Sequence, residues 1–163
     1  MTTEEVISKI YKILENVTPL KTDCGMLCDC ECCKGDNSIG MLLFPGEEFF
    51  YKGNSDFNII DIDDNKKILV CSGRCDRTLR PVSCRLFPLI PIVFEGKLYI
   101  IDDPRASGVC PLIYDNAKLN KKFEKAVYKA GKLLLKNEIT SEFLHTLTDE
   151  ISEILSLREN FFK

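Results

Sequence analysis

The order of patterns along the chain predicts a small single-domain α+β fold, with N-terminal and C-terminal helices flanking a cysteine-rich centre of short strands and loops. Three observations carry this. Apolar residues recur at helical spacing before residue 20 and again after residue 116, short apolar runs broken by turn residues fill the middle, and all nine cysteines lie between residues 24 and 110. The divisions expected are an N-terminal helix over 1–20, a cysteine-rich core over 21–115 and C-terminal helices over 116–163, all within one domain.

At the amino terminus, Thr2 with Glu5 three residues on is a capping-box signature, and Val6, Ile7, Ile10, Ile13, Leu14 and Val17 follow at helical spacing. Pro19 is the expected stop. The next stretch, from Cys24 to Cys33, crowds five thiols into ten residues among Asp23, Asp29, Glu31 and Lys34, a setting unsuited to cysteines that serve as buried apolar packing. Between 35 and 70 the runs Ile39 to Phe44, Phe57 to Ile62 and Lys67 to Cys71 suit short strands or extended loops. Ile92 to Phe94 and Leu98 to Ile100 flank Glu95-Gly96-Lys97, the pattern of a tight hairpin. Leu119, Phe123, Ala126, Val127, Ala130, Leu133 and Leu134 then mark one helix face. A last helix is expected from an N-cap at Thr140 or Ser141, with Ile139 stapled onto Leu144 and a stripe of Phe143, Leu147, Ile151, Ile154 and Leu155.

Composition narrows the function. With 22 basic against 25 acidic residues there is no global attraction to nucleic acid, and the longest apolar run, Leu86 to Phe94, carries two prolines and is too short for a bilayer. The opening Met-Thr-Thr-Glu-Glu has no basic region followed by an apolar run, so the expectation is a soluble, cytoplasmic protein without a secretory signal. Thiols stay reduced in that compartment. The odd number of cysteines and a length sufficient to bury a core also argue against a disulfide scaffold.

Metal ligation remains. Thiolate sites for zinc or an iron–sulfur cluster draw on about four cysteines, usually a close pair from one loop and partners brought in by folding. Cys24-x3-Cys28, Cys30-x2-Cys33 and Cys71-x3-Cys75 supply pairs, while Cys84 and Cys110 supply partners, the last followed by a proline as in some bacterial cluster-binding runs. The candidate ligands are therefore Cys24, Cys28, Cys30, Cys33, Cys71, Cys75, Cys84 and Cys110. Neighbouring thiols of an extended segment point to opposite faces, so one of the adjacent Cys32 and Cys33 is expected to be a spare or to serve a second metal, and Cys32 is the one left out of the set. The x3 and x8 spacings favour a cluster such as [4Fe–4S] over Zn²⁺. Four thiolates around either group leave net negative charge, and Arg80 and Arg85, set among apolar residues, are the candidate cofactor-binding donors to the sulfurs. Arg74 and Arg77 fit a solvated basic face. His145, the only histidine, lies on the last helix and gives neither a ligand set nor a base for a thiol nucleophile.

The run Arg80-Pro81-x2-Cys84-Arg85-x-Phe87-Pro88, downstream of the cysteine cluster and followed by Cys110, resembles the CxxCxxCC cysteine-cluster family, also called YkgJ-like, over residues 24 to 111. That resemblance implies a zinc- or iron-chelating domain. The first cluster departs from the strict family spacing, reading Cys24-x3-Cys28-x-Cys30-x-Cys32-Cys33. The family also includes the flagellin lysine methylase, so the resemblance allows a second reading, an iron–sulfur-dependent methyltransferase-like enzyme using S-adenosylmethionine. Neither a Gly-x-Gly loop for a nucleotide-like cofactor nor the Cys-x3-Cys-x2-Cys spacing of radical enzymes occurs in the chain. The reading preferred from the sequence is a metal-binding protein with a structural, redox or metal-handling role, whose one identified partner is the metal ion or cluster itself.

Overall fold

A computed structural model describes residues 1–34, 40–63, 66–71 and 76–161, and for Cys71 the backbone only. It is an α+β domain with helices at both ends and short antiparallel strands between them. Helix α1 (Thr3–Leu14) starts as the sequence predicts: the Thr2 side chain accepts from Glu5 N, and the Glu5 carboxylate accepts from Thr2 N at 2.9 Å. Its buried face is Val6, Ile7, Ile10 and Leu14. The helix closes five residues before Pro19, so that proline terminates the following link rather than the helix.

Strands β1 (Met41–Leu43), β2 (Phe57–Asp63) and β3 (Lys66–Cys71) form one antiparallel sheet in the order β1-β3-β2, with Met41 opposite Leu69 and Phe57 opposite Cys71. These are three of the apolar runs expected to be extended; Ile39 lies outside the described residues. Leu43, Tyr51 and Leu69 are buried together over this sheet, joined by Phe57 and Ile59. The hairpin of β4 (Leu89–Phe94) and β5 (Lys97–Asp102) is the second sheet. Its two-residue loop holds Glu95 at φ 48° and Gly96 at φ 73°, the positive pair that matches the right-handed twist of the flanking strands.

Helix α5 (Lys121–Leu134), capped by the Asn120 side chain accepting from Lys122 N, buries Phe123, Ala126, Val127, Ala130, Gly131 and Leu134. It packs on α1 and on the hairpin, and the main core forms where these meet. Helix α6 (Glu138–Phe161) closes the core from the β4 side, with Val93 N donating to Thr148 Oγ1 at 3.1 Å and Lys66 paired with Glu150. Two details of α6 differ from the sequence expectation. The cap is Asn137, whose side chain accepts from Thr140 N, while Thr140 is buried inside the first turn and donates to Leu134 O. Leu144, Leu147 and Ile151 are buried with Phe143 and Ile154 packed beside them, whereas Leu155 is exposed, because from that residue on the helix runs past the core and residues 155–160 are all exposed. Among the described residues no helix is long and apolar enough to cross a membrane.

Gly131 lies where α5 crosses the hairpin. A Cβ there would stand 2.9 Å from Pro91 Cβ and 3.0 Å from Leu98 Cδ1, closer than packed side chains approach. Gly131→Val should cost about 1–3 kcal/mol in denaturant unfolding through overpacking. Gly108→Ala, where nothing lies within 4 Å of the added carbon, should stay within about 0.5 kcal/mol.

Candidate metal centre

The cysteine cluster folds as two tight helical turns, not as an extended segment. Helix α2 (Gly25–Cys28) is a single turn begun by Asp23, whose Oδ1 accepts from Gly25 N at 3.0 Å. It ends at Asp29 and Cys30, both left-handed with φ of 50° and 54°, after which Glu31–Cys33 makes a 3₁₀ turn. Two consecutive non-glycine residues in that region carry strain on the order of 1–2 kcal/mol each, so the reversal must be held by the surroundings. In helical geometry residues four apart share a face. That places Cys24 with Cys28, and the left-handed reversal at Asp29 and Cys30 returns Cys32 to the same cavity, whereas Cys30 and Cys33 line a neighbouring, more open hollow with Asp23, Met26 and Asp29.

The other wall of the cavity comes from later in the chain. Helix α3 (Val82–Leu86) brings Cys84, and the 3₁₀ turn Pro104–Gly108 leads into buried Cys110, the N-cap residue of α4 (Pro111–Tyr114). Cys110 N donates to Ala106 O at 2.7 Å, fixing the residue on the preceding turn. Five thiols, Cys24, Cys28, Cys32, Cys84 and Cys110, thus surround a space of about 90 Å³ together with Arg77, Arg80 and Arg85. None of the seven described cysteine side chains forms a disulfide.

Of the eight ligands expected from sequence, four line this cavity, Cys30 and Cys33 line the hollow beside it, and Cys75 with the Cys71 side chain lies outside the described residues. Cys32, left out of that set, stands in the cavity wall. The spacing of 24 and 28 fits one helical face, but the return of Cys32 depends on the left-handed pair Asp29 and Cys30, which no turn residue signals. Reading the segment as extended imposed a period of two. Among the described residues, no three or more His, Cys, Asp or Glu side chains are placed to close on a single metal ion.

Electrostatics at the cavity oppose ionisation of its thiols. Burial, then the Asp23 carboxylate and the neighbouring Cys28 and Cys110, push the Cys24 thiol above its ordinary range, with Arg80 pulling it down. Cys110 is also pushed up by burial, against hydrogen bonds from the backbone of Leu112 and Ile113. Cys32 is pushed up by its hydrogen bond with Cys33, by burial and by the charges of Cys33, Cys24 and Cys84. Four or five thiolates in one recess would repel each other, and a cation or cationic cluster core between them removes that cost.

The arginines divide by role. Arg80 lies in the wall of both the cavity and the hollow and is the one whose charge lowers Cys24. Arg85, also in the cavity wall, sends Nε to Arg80 O and Nη2 to Thr78 O, each at 2.7 Å, and lays its guanidinium 4.3 Å from the centre of the Tyr11 ring. These bonds hold the backbone that carries Arg77 and Arg80. Arg77, expected on a solvated face, is half-buried in the cavity wall and donates to Val17 O, anchoring the link after α1.

No protein-family model, curated protein or solved structure matches the chain. The likeness to the cysteine-cluster family therefore stands on the motif residues alone.

The raised thiols give a direct check. Less thiolate is present at a given pH when a thiol's pKa is raised, and the thiolate is the reactive form. In protein freed of metal by a chelator and kept reduced, alkylation of Cys24 and Cys110 should at pH 7 be slower than that of free cysteine, and should accelerate as pH rises past 9. Rapid, pH-independent labelling of both at pH 7 would contradict this electrostatic description.

Proposed function

We propose that this protein holds a metal centre through cysteine thiolates, and that the centre is an iron–sulfur cluster in preference to zinc. The observation that carries the reading is the convergence of Cys24, Cys28, Cys32, Cys84 and Cys110, from three separate stretches of chain, on one cavity walled by arginines. A chance grouping of thiols would carry no matching positive charge. The motif around Arg80, Cys84 and Phe87-Pro88 supports the same reading.

The donor set suits soft or borderline metals, since it offers sulfur and no histidine. Cavity size distinguishes the two candidates. A single zinc ion draws its thiolates to about 2.3 Å and leaves no space between them, whereas a recess of about 90 Å³ has room for several atoms of water size, each needing about 10–15 Å³. Cys24, Cys28, Cys84 and Cys110 would hold the group, with Cys32 beside them, and Arg80 would offset its negative charge. Bound there, such a cluster would supply one-electron redox capacity or a structural lock across the three stretches. A reducing cytoplasmic compartment is the setting in which this site would remain loaded.

Protein purified without oxygen should be brown and contain iron and labile sulfide, with at least about half a cluster per chain. Cys84→Ser and Cys110→Ser should each retain less than about a tenth of that metal, while Cys30→Ser should retain most of it. Because the site thiols must lose protons to bind, and burial holds Cys24 and Cys110 protonated, metal retention should fall as pH is lowered and rise as pH is raised. Colourless protein with stoichiometric zinc would decide for the zinc form. Freely titrating thiols with neither metal present would remove the proposal.

A further inference from the structure

Among the described residues Glu47 is a carboxylate with no solvent exposure, placed on the 3₁₀ turn Glu47–Tyr51. Its Oε1 accepts from Tyr11 Oη at 2.7 Å and from the backbone N–H of Val82, and its Oε2 accepts from Phe44 N at 2.9 Å. Tyr11 Oη lies 2.9 Å from Tyr51 Oη, which donates to Leu79 O. A buried carboxyl with three donors from three separate parts of the chain is costly to assemble.

Val82 is the first residue of α3, and its N–H is one of the orphan donors of that helix. Helix α3 has only five residues and no side-chain cap of its own from Pro81. So short a helix cannot hold its orientation through its own hydrogen bonds. What orients it comes from outside: Glu47 on the first N–H, Ser83 Oγ donating to Leu42 O, and Arg85 reaching back to Arg80 O and Thr78 O. Cys84 lies at the middle of this helix. Burial pushes the Glu47 carboxyl up to about 7, against the donors from Val82, Tyr11 and Phe44 and the charge of Arg85.

We propose that Glu47 is the positioning residue for Cys84, fixing through the Val82 N–H the direction in which α3 presents this thiol to the cavity. The inference rests on Cys84 being a ligand of the proposed centre, but the positioning itself is readable without metal. Glu47→Gln keeps the size of the side chain and replaces one acceptor oxygen by a donor, which must face either Phe44 N–H or the Val82 and Tyr11 donors.

The test uses the full chain, prepared anaerobically, with site-resolved alkylation rates by mass spectrometry and metal content measured on the same sample. In Glu47→Gln, Cys84 should label about ten-fold faster than in the parent protein, the factor expected for losing one buried hydrogen bond of ordinary strength. Cys110, buried and carried by a different turn, should change by less than about two-fold. Tyr11→Phe, which keeps the carboxylate and its bond to Val82, should shift Cys84 in the same direction by a smaller factor. If Glu47→Gln exposes both thiols together through unfolding, Tyr11→Phe decides, and a response there that does not single out Cys84 overturns the inference. A metal-loaded parent protein in which neither variant changes Cys84 selectively sinks the positioning role alone. A metal-free parent protein with a selective Cys84 response sinks the metal reading and leaves the positioning role standing.

Discussion

The carboxylate of Glu47 ties three separate parts of the chain to one point by directional bonds. Tyr11 comes from α1, Phe44 from the end of β1, Val82 from the start of α3, and each contributes a donor to the same two oxygens. Removing such a hub leaves several buried donors unsatisfied at once, each at a cost of about 1–3 kcal/mol. The apolar core alone could tolerate α3 in several orientations, because Val82 and Leu86 are interchangeable grease to their neighbours. Directional hydrogen bonds remove that freedom. The short helix, its thiol and the two arginines before it therefore take their places from a polar network lying under the cavity.

Above that network, the cavity sets thiols beside arginines in a partly buried space. Its thiols are individually pushed toward the neutral form, and its arginines are drawn in along main-chain carbonyls. The result is a recess whose charge is unbalanced in a predictable direction: loss of protons on binding a cation would convert a neutral sulfur wall into an anionic one facing Arg80. That coupling between deprotonation and metal affinity is a general property of thiolate sites, and here it follows from burial of the thiols and not from any single pair.

The elements legible in the sequence are those fixed by local chemistry. The capping box at Thr2, the Glu95-Gly96 hairpin loop and the apolar stripe of α5 each arise from residues within a few positions of one another, and each is found as expected. The start of α6 was misread because three polar candidates, Asn137, Thr140 and Ser141, stand within five residues, and only the buried contact of Thr140 with Leu134 O selects among them. The cysteine cluster was harder for a different reason. Asp29 and Cys30 adopt left-handed conformations that favour glycine, so no turn residue announced the reversal that gives Cys24, Cys28 and Cys32 a common cavity. Glu47 was illegible altogether. In Pro45-Gly46-Glu47-Glu48 it has the appearance of a surface turn, and its partners lie 36 and 35 residues away. The one available hint was Gly46, whose φ of 87° and contact with Thr3 press the turn against α1.

The central claim is that sulfur atoms of this chain, and no other ligand type, surround a metal. X-ray absorption at the metal edge of anaerobically purified protein tests it most directly, because the first coordination shell identifies its own atoms. The account predicts a sulfur-only shell at about 2.3 Å, accompanied by metal–metal scattering from a cluster. A first shell of nitrogen and oxygen, at about 2.0–2.2 Å, would contradict it.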